Sequence, residues 1–316
     1  MKMIDAEAVH RLLPYDALVA GLLDQHKTDI DDVRSHLLEG PDTGHGAANF
    51  LTLPAWQHGR ALGAKLVTVF PANEKTDTGL PSVQAVFVLF DGKTGAPRAC
   101  IDGTALTLRK TAADSALGVQ FLAREDARTL LMVGAGAMAP HLIAAHRAVR
   151  PSLETILIWN RSPQRAHHLA AALSREGIEA AVVNDLEAAT REAAIISCAT
   201  MATAPLIRGA WLTPGTHLDL VGSYRRDMVE CDLEAVRDNA LFVDSPWSAL
   251  HDNGEIAVAL ESGALSRDAI IADHFDFAHG RHVGRASADQ ITVFKNGGGG
   301  HLDLMVAQHL VAMAEN

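Results

Sequence analysis

The chain has little cysteine: Cys100, Cys198 and Cys231 in 316 residues, far apart and odd in number. That count and spacing exclude a disulfide framework and a thiolate zinc site, and the three read as buried thiols. No metal centre is expected. Aromatic residues are scarce at 5%, so Ala-rich helices and aliphatic runs must fill the core. No apolar run approaches the ~18 residues of a membrane span. The first ten residues, MKMIDAEAVH, lack the apolar core of a secretory signal. Basic charge is also short, 27 Lys and Arg against 38 Asp and Glu, for a net charge of −11. Nucleic acid and anionic membranes favour a basic surface, so neither is an expected partner. A small anionic substrate needs only a few local cations and stays open. The expectation is a reduced, cytoplasmic protein.

What is present is apolar and periodic. The 316 residues are enough for two domains of ordinary size, and hydrophobic residues, 48% of the chain, can fill a large core. Residues 5–25 show helical spacing, and Pro14 predicts a break into two helices. Residues 27–46 read as a polar stretch with turn signals at Gly40-Pro41-Asp42 and Gly44-His45-Gly46. Runs at 49–54, 61–70 and 82–91 read as strands, the last in a hairpin with PRACIDG. Residues 107–122 read as a helix. From Thr129 onward strand and helix alternate, the pattern of a doubly wound parallel sheet. The fold class is α/β: a Rossmann sheet domain over 118–291 plus an α+β domain over 1–117. The tail, 292–316, is expected to return to the first domain. Gly297 to Gly300 lack the Lys-Ser/Thr of a P-loop and read as a flexible turn.

Residues 130–139, LLMVGAGAMA, carry the strongest signal. An apolar run ends in Gly134-Ala-Gly136-Ala137-Met138-Ala139, a helical pattern follows, and a second apolar run closes on Asn160-Arg161-Ser162. This is a dinucleotide-binding unit with Ala in the third small position of G-x-G-x-x-G/A. Gly134 makes the tight turn, Gly136 lets backbone N–H groups approach a pyrophosphate, and Ala139 lets helix and strand pack closely. Ala137 and Met138 open the helix whose free N–H groups face the phosphate. An NAD site usually places a carboxylate about 20 residues beyond the glycines, to hold the ribose 2′-OH. Asn160, Arg161 and Ser162 offer instead a guanidinium and a hydroxyl to a 2′-phosphate. NADP(H) is therefore the expected cofactor, with NAD(H) possible.

Further segments occur in a recognisable order: Gly63-Ala-Lys65-Leu-Val-Thr-Val-Phe-Pro71, Gly79-Leu-Pro81, Leu108-Arg109-Lys-Thr111-Ala-Ala, Ser197-Cys-Ala-Thr200, Val221-Gly222-Ser223 and Thr292-Val-Phe-Lys295. With GAGAMA and Trp159-Asn-Arg-Ser162, they make nearly the whole chain resemble the ornithine cyclodeaminase/mu-crystallin family, most of all its bacterial ketimine reductases. The resemblance implies a substrate and dimerisation domain beside a Rossmann domain, a homodimer, and a small cyclic imino acid as substrate. It maps a catalytic lysine onto Lys65, a carboxylate-binding arginine onto Arg109 and a further substrate-facing arginine onto Arg34. It also maps cofactor contacts onto Thr111, Thr200, Gly222, Ser223 and Lys295.

The residues support parts of this independently. Lys65 lies inside an apolar strand, where a charge is costly without a partner. Arg109 has the geometry for a bidentate carboxylate, while Lys110 reads equally well as a participant or a solvated neighbour. His36 and His45 read as solvated loop histidines, and His167 and His168 as surface residues. The chain departs from cyclising deaminases at Tyr224. The resemblance places there an aspartate that binds the δ-amino group, and Asp227 lies three residues on. These features favour NADPH-dependent reduction of Δ1-pyrroline-2-carboxylate or Δ1-piperideine-2-carboxylate, to L-proline or L-pipecolate. The alternatives are an ornithine cyclodeaminase or amino-acid dehydrogenase, and a non-catalytic NADPH-binding protein.

Overall fold

The computed structural model describes residues 1–42, 46–75, 79–250 and 253–315. It divides into two units, Met1–Lys110 with Gly299–Asn316, and Thr111–Gly298. The first opens with strand β1 (Lys2–Ile4) and helices α1 (Ala6–Leu12) and α2 (Tyr15–Gln25). Asp5 caps α1 by accepting from the Ala8 N–H at 2.9 Å. Pro14, with φ fixed at −61°, caps α2 and separates the two helices as expected. Strands β2 (Asp32–Val33), β3 (His36–Asp42), β4 (Ala47–Gln57), β5 (Ala61–Val69), β6 (Val83–Asp91) and β7 (Pro97–Asp102) follow. They form a sheet in the order β1-β7-β6-β5-β4-β2, with β3 also paired to β4. Segment 27–46, read as a polar stretch with turns, therefore carries two strands. β3 pairs with β4 and leaves Leu37 and Leu38 exposed, so it lacks the burial alternation that marks a strand in sequence.

The two faces of this sheet differ. Ala61, Gly63, Lys65 and Val67 of β5 are buried, and the C-terminal helix, Gly300–Glu315, packs across β4, β5 and β6. The opposite face lines up Trp56, Leu62 and Phe90 in one row and Thr52, Leu66 and Val86 in another. These side chains are half-buried or exposed, Trp56 at 43% and Val86 at 40%. An antiparallel sheet with one solvated face normally alternates apolar-in and polar-out. Here both faces are apolar. Helix α3 (Gly103–Leu122) follows, its first turn capped by Asp102 Oδ1 accepting from the Ala105 N–H at 2.8 Å. The boundary between the units, Lys110/Thr111, falls within it.

The second unit alternates β8 (Thr129–Val133), α4 (Met138–Val149), β9 (Thr155–Trp159), α5 (Pro163–Arg175), β10 (Ala180–Val182), α6 (Leu186–Glu192), β11 (Ile195–Cys198) and β12 (His217–Leu220). Helix α7 (Leu233–Arg237), β13 (Ala240–Val243), β14 (Ile270–Ala272) and β15 (Thr292–Lys295) complete the sheet, with short helices at 246–249, 257–261 and 274–278. All its pairs are parallel, in the order β10-β9-β8-β11-β12-β15-β13-β14. Strand order reverses between β8 and β11, the position where open α/β sheets form their ligand crevice. The expected Rossmann sheet is present, but 292–295 was assigned to the returning tail and belongs to this sheet instead. TVFK is wholly buried between β12 and β13, and the return begins at Gly299. The Gly297–Gly300 run also differs from a flexible turn. The Gly298 N–H donates to Asp244 Oδ2 at 2.7 Å, and Gly299 O accepts from Lys110 Nζ at 3.2 Å.

Candidate active site

The glycine turn after β8 has the shape the motif requires. Gly134 has φ +111°, and a Cβ there would stand 2.5 Å from Ala199 O. A Cβ on Gly136 would meet nothing within 4 Å, so open space fronts the backbone where a phosphate must approach. Helix α4 starts at Met138 with no side-chain cap from Ala137; the Ala139 N–H donates to Gly136 O at 3.1 Å and Pro140 has none, so the backbone from Gly136 to Met138 is what the turn offers a phosphate. Ala139 is fully buried under the helix. At the end of β9 the Asn160 side chain braces the turn, accepting from the Ala135 N–H at 3.2 Å and donating to Ser162 O at 2.9 Å. Arg161 is exposed beside it, and no carboxylate stands at 160–162. These residues fit a dinucleotide.

On the other side of the strand reversal, one carboxylate joins two strand ends. Glu230 is fully buried. It accepts from the Thr200 N–H at 2.6 Å, the Thr200 hydroxyl at 2.7 Å and the Gly222 N–H at 2.7 Å. Burial, chiefly, pushes its pKa up to about 7, against the pull of Lys295. Gly222 is sterically required, since a Cβ there would lie 2.0 Å from Thr200 O. Lys295, expected to touch the cofactor, is fully buried: it donates to Ser223 O at 2.8 Å and pairs with Glu255 at 3.6 Å. All four residues of the strand that carries it are buried. The Ser223 hydroxyl donates to Met228 O, and the Thr111 carbonyl accepts from Asn296.

The first unit holds a separate charged cluster. Lys65 Nζ lies 2.8 Å from Asp303 Oδ2, and Lys110 Nζ lies 3.6 Å from Asp303 Oδ1. Lys65 also donates to the Thr107 hydroxyl at 3.4 Å. All three charged residues are buried: Lys65 is 7% exposed, Lys110 3% and Asp303 0%. Two ammonium groups share one carboxylate, which leaves one positive charge without a partner of opposite sign in the cluster. Burial lowers the Lys65 pKa, Lys110 lowers it further, and Asp303 partly restores it. Thr107 and Lys110, three apart, share one face of α3.

Arg109, expected to bind the substrate carboxylate, lies outside this cluster. Its Nε donates to His10 Nδ1 at 3.0 Å, its Nη2 to His10 O at 3.0 Å, and its guanidinium stacks over Tyr15 at 4.5 Å. Adjacent helical residues diverge by about 100°, so a helix that aims Lys110 at Asp303 turns Arg109 toward α1. Arg34 is likewise apart: it is exposed, pairs with Asp32 at 3.2 Å, and lines a cavity of about 340 Å³ with Trp56 and Phe90 on the open sheet face. His36, His167 and His168 are exposed, and His45 lies outside the described residues. Tyr224 is 59% exposed, and Asp227 is an exposed partner of Arg225, so neither presents a buried carboxylate. Sequence reasoning passed over Asp303 and Glu230. Asp303 had a usable signal, a lone charge in the apolar run HLDLMV. Glu230 had none, because its surroundings are set by distant strand ends.

An uncapped helix behind a glycine turn, at the reversal of a parallel sheet, defines a dinucleotide-binding protein of the Rossmann class. The model of the ornithine cyclodeaminase/mu-crystallin family matches residues 38–314, and the chain belongs to that family. A Delta(1)-pyrroline-2-carboxylate reductase of Paracoccus denitrificans is 44% identical over 306 residues, 96% of this chain and 94% of that protein. One from Colwellia psychrerythraea is 32% identical, covering 98% of each chain. Among solved structures, the Delta(1)-pyrroline-2-carboxylate reductase of Thermococcus litoralis in complex with NADH and L-proline aligns at a TM-score of 0.86. It is 30% identical and covers 100% of this chain and 98% of that one.

Proposed function

We propose that the protein reduces cyclic imino acids, Δ1-pyrroline-2-carboxylate to L-proline and Δ1-piperideine-2-carboxylate to L-pipecolate, with NADPH as reductant. The observation that carries this reading is the buried Lys65–Asp303–Lys110 cluster, in which, among the described residues, two lysines share one carboxylate. A substrate carboxylate supplies the missing negative charge, and a desolvated ammonium holds it strongly. Lys110 takes the carboxylate-binding role that the resemblance had given to Arg109. Lys65 Nζ gives its proton to the imine nitrogen, and its lowered pKa makes it the better acid near neutral pH. Asp303 and Thr107 orient Lys65 for that transfer. Holding the carboxylate fixes the C=N carbon in place, so orientation supplies much of the rate. The bound nicotinamide supplies the hydride that reduces this carbon.

Relatives named as pyrroline-2-carboxylate reductases, at 44% and 32% identity over nearly the full chain, support the substrate class. Arg161, without a neighbouring carboxylate at 160–162, supports NADPH over NADH. The exposed positions of Tyr224 and Asp227 argue against a cyclodeaminase, whose cationic side chain needs a buried acid. A homodimer through the open sheet face of the first unit accounts for the exposed Trp56 and Val86. The test follows absorbance of NADPH with purified protein and Δ1-pyrroline-2-carboxylate, with L-ornithine plus NAD as control. NADPH loss and L-proline formation are expected with the imine. Proline and ammonia from ornithine alone would make it a cyclodeaminase, and silence in both would make it a binding protein.

A further inference from the structure

We infer that Glu230 is a positioning residue for the nicotinamide half of the dinucleotide site, an inference that rests on the dinucleotide reading above. The argument starts at the strand ends. β11 and β12 pair in register up to Cys198 and Leu220, and the Val221 N–H still reaches Cys198 O at 2.9 Å. Past that point, the Thr200 and Gly222 N–H groups leave the ladder and donate to a side chain instead. The Glu230 carboxylate takes both, one on each oxygen, and so sets the gap between the two ends.

Glu230 is itself anchored. Its carbonyl accepts from the Leu206 and Ile207 N–H groups at 2.9 and 3.0 Å, and its own N–H donates to Glu255 Oε1 at 2.7 Å. Glu255 pairs with Lys295, and Lys295 returns to Ser223 O. The circuit therefore begins and ends on the β12 loop; Thr200 packs beside Gly134, but none of the circuit's hydrogen bonds goes to the glycine turn or the end of β9. In a crevice at a strand reversal the two halves of a dinucleotide lie on opposite sides. The adenosine half belongs with Gly134 and Arg161, and the nicotinamide half with Thr200 and Gly222.

Glu230→Gln keeps the shape. Its amide oxygen still serves Thr200, but its NH2 turns a donor toward the Gly222 N–H, so one strand end is released. Glu230→Asp, one methylene shorter, spans to one end only and is expected to behave alike. The groups facing Glu230 are Lys295 on β15, Glu255, and the buried thiols of Cys198 on β11 and Cys231 beside it. Protonation of Glu230 near pH 7 places an O–H against an N–H donor and mimics the Gln variant.

The experiment titrates two probes, NADPH and adenosine 2′,5′-bisphosphate, against intrinsic tryptophan fluorescence from pH 5.5 to 8.5. In Glu230→Gln the Kd for NADPH is expected to rise by about tenfold at pH 8, while the Kd for the bisphosphate stays within about twofold. In the wild type the ratio of the two constants rises as pH falls through about 7, and the variant lacks this limb. Titration of the 2′-phosphate is common to both probes and cancels in the ratio; the 5′-phosphate monoester of the bisphosphate, protonated below about pH 6, weakens only that probe and lowers the ratio, opposite in sign to the limb expected from Glu230. If both constants rise together, or neither moves, the positioning role is overturned. If the wild type binds neither probe, the dinucleotide reading itself fails.

Discussion

Lys110 and Arg109 are both cations on α3, and only the helix phase separates their roles. Lys110 shares Asp303 with Lys65, whereas Arg109 braces α1 through His10 and α2 through Tyr15. Replacing one lysine of the cluster leaves the other paired with Asp303, so the fold is expected to survive. Lys110→Met then removes a charge-assisted contact to the substrate, about 2–3 kcal/mol, or about 30- to 150-fold in kcat/KM. The loss should fall mainly on KM for the imine. Arg109→Gln should leave KM within about threefold. Steady-state kinetics of the two variants decide the matter, and the reverse ranking would restore Arg109 to the site. Lys65 was legible in the sequence because a charge in GAKLVTVF demands a partner. The choice between positions 109 and 110 was not legible, because the phase of a helix against a sheet is set by packing.

Among the elements, the β8 turn and the end of β9 carry the proposed cofactor preference. Asn160 is occupied with Ala135 and Ser162, and Arg161 is the exposed charged residue at the strand end. Arg161→Asp should shift the preference from NADPH toward NADH by on the order of 10- to 100-fold in the ratio of kcat/KM values. An unchanged ratio would remove Arg161 from the 2′-phosphate site. The strand, glycine turn and helix were readable because each small residue there has one steric reason to be small. β3 escaped the reading because it is an edge strand crossed by Gly40 and Pro41. β15 was recognised as a strand but given to the wrong unit, since sheet order is a long-range property that local periodicity does not encode.

The molecule as a whole carries ionisable groups in its second unit that couple folding to pH. His217 on β12 is fully buried, its Nδ1 2.9 Å from the Thr292 hydroxyl, and burial lowers its pKa to about 3. The unfolded chain takes up this proton below about 6.5 and the folded one does not. Its contribution to stability is therefore present above pH 6.5 and is lost as pH falls toward 3. Denaturant unfolding of wild type and His217→Gln should show a stability gap that narrows by about 1.4 kcal/mol per pH unit below 6.5. A constant gap would mean His217 is protonated in the fold. Two units were expected from length and pattern, and the Rossmann sheet followed from alternating strand and helix. The cluster of Lys65, Lys110 and Asp303 draws on a strand, a helix and the returning C-terminal helix, so only folding brings it together. The most direct test of the central claim runs Δ1-pyrroline-2-carboxylate with NADPH deuterated at the transferable C4 position. Reduction of the imine predicts L-proline carrying one deuterium at Cα. Unlabelled proline, or none, would contradict the account.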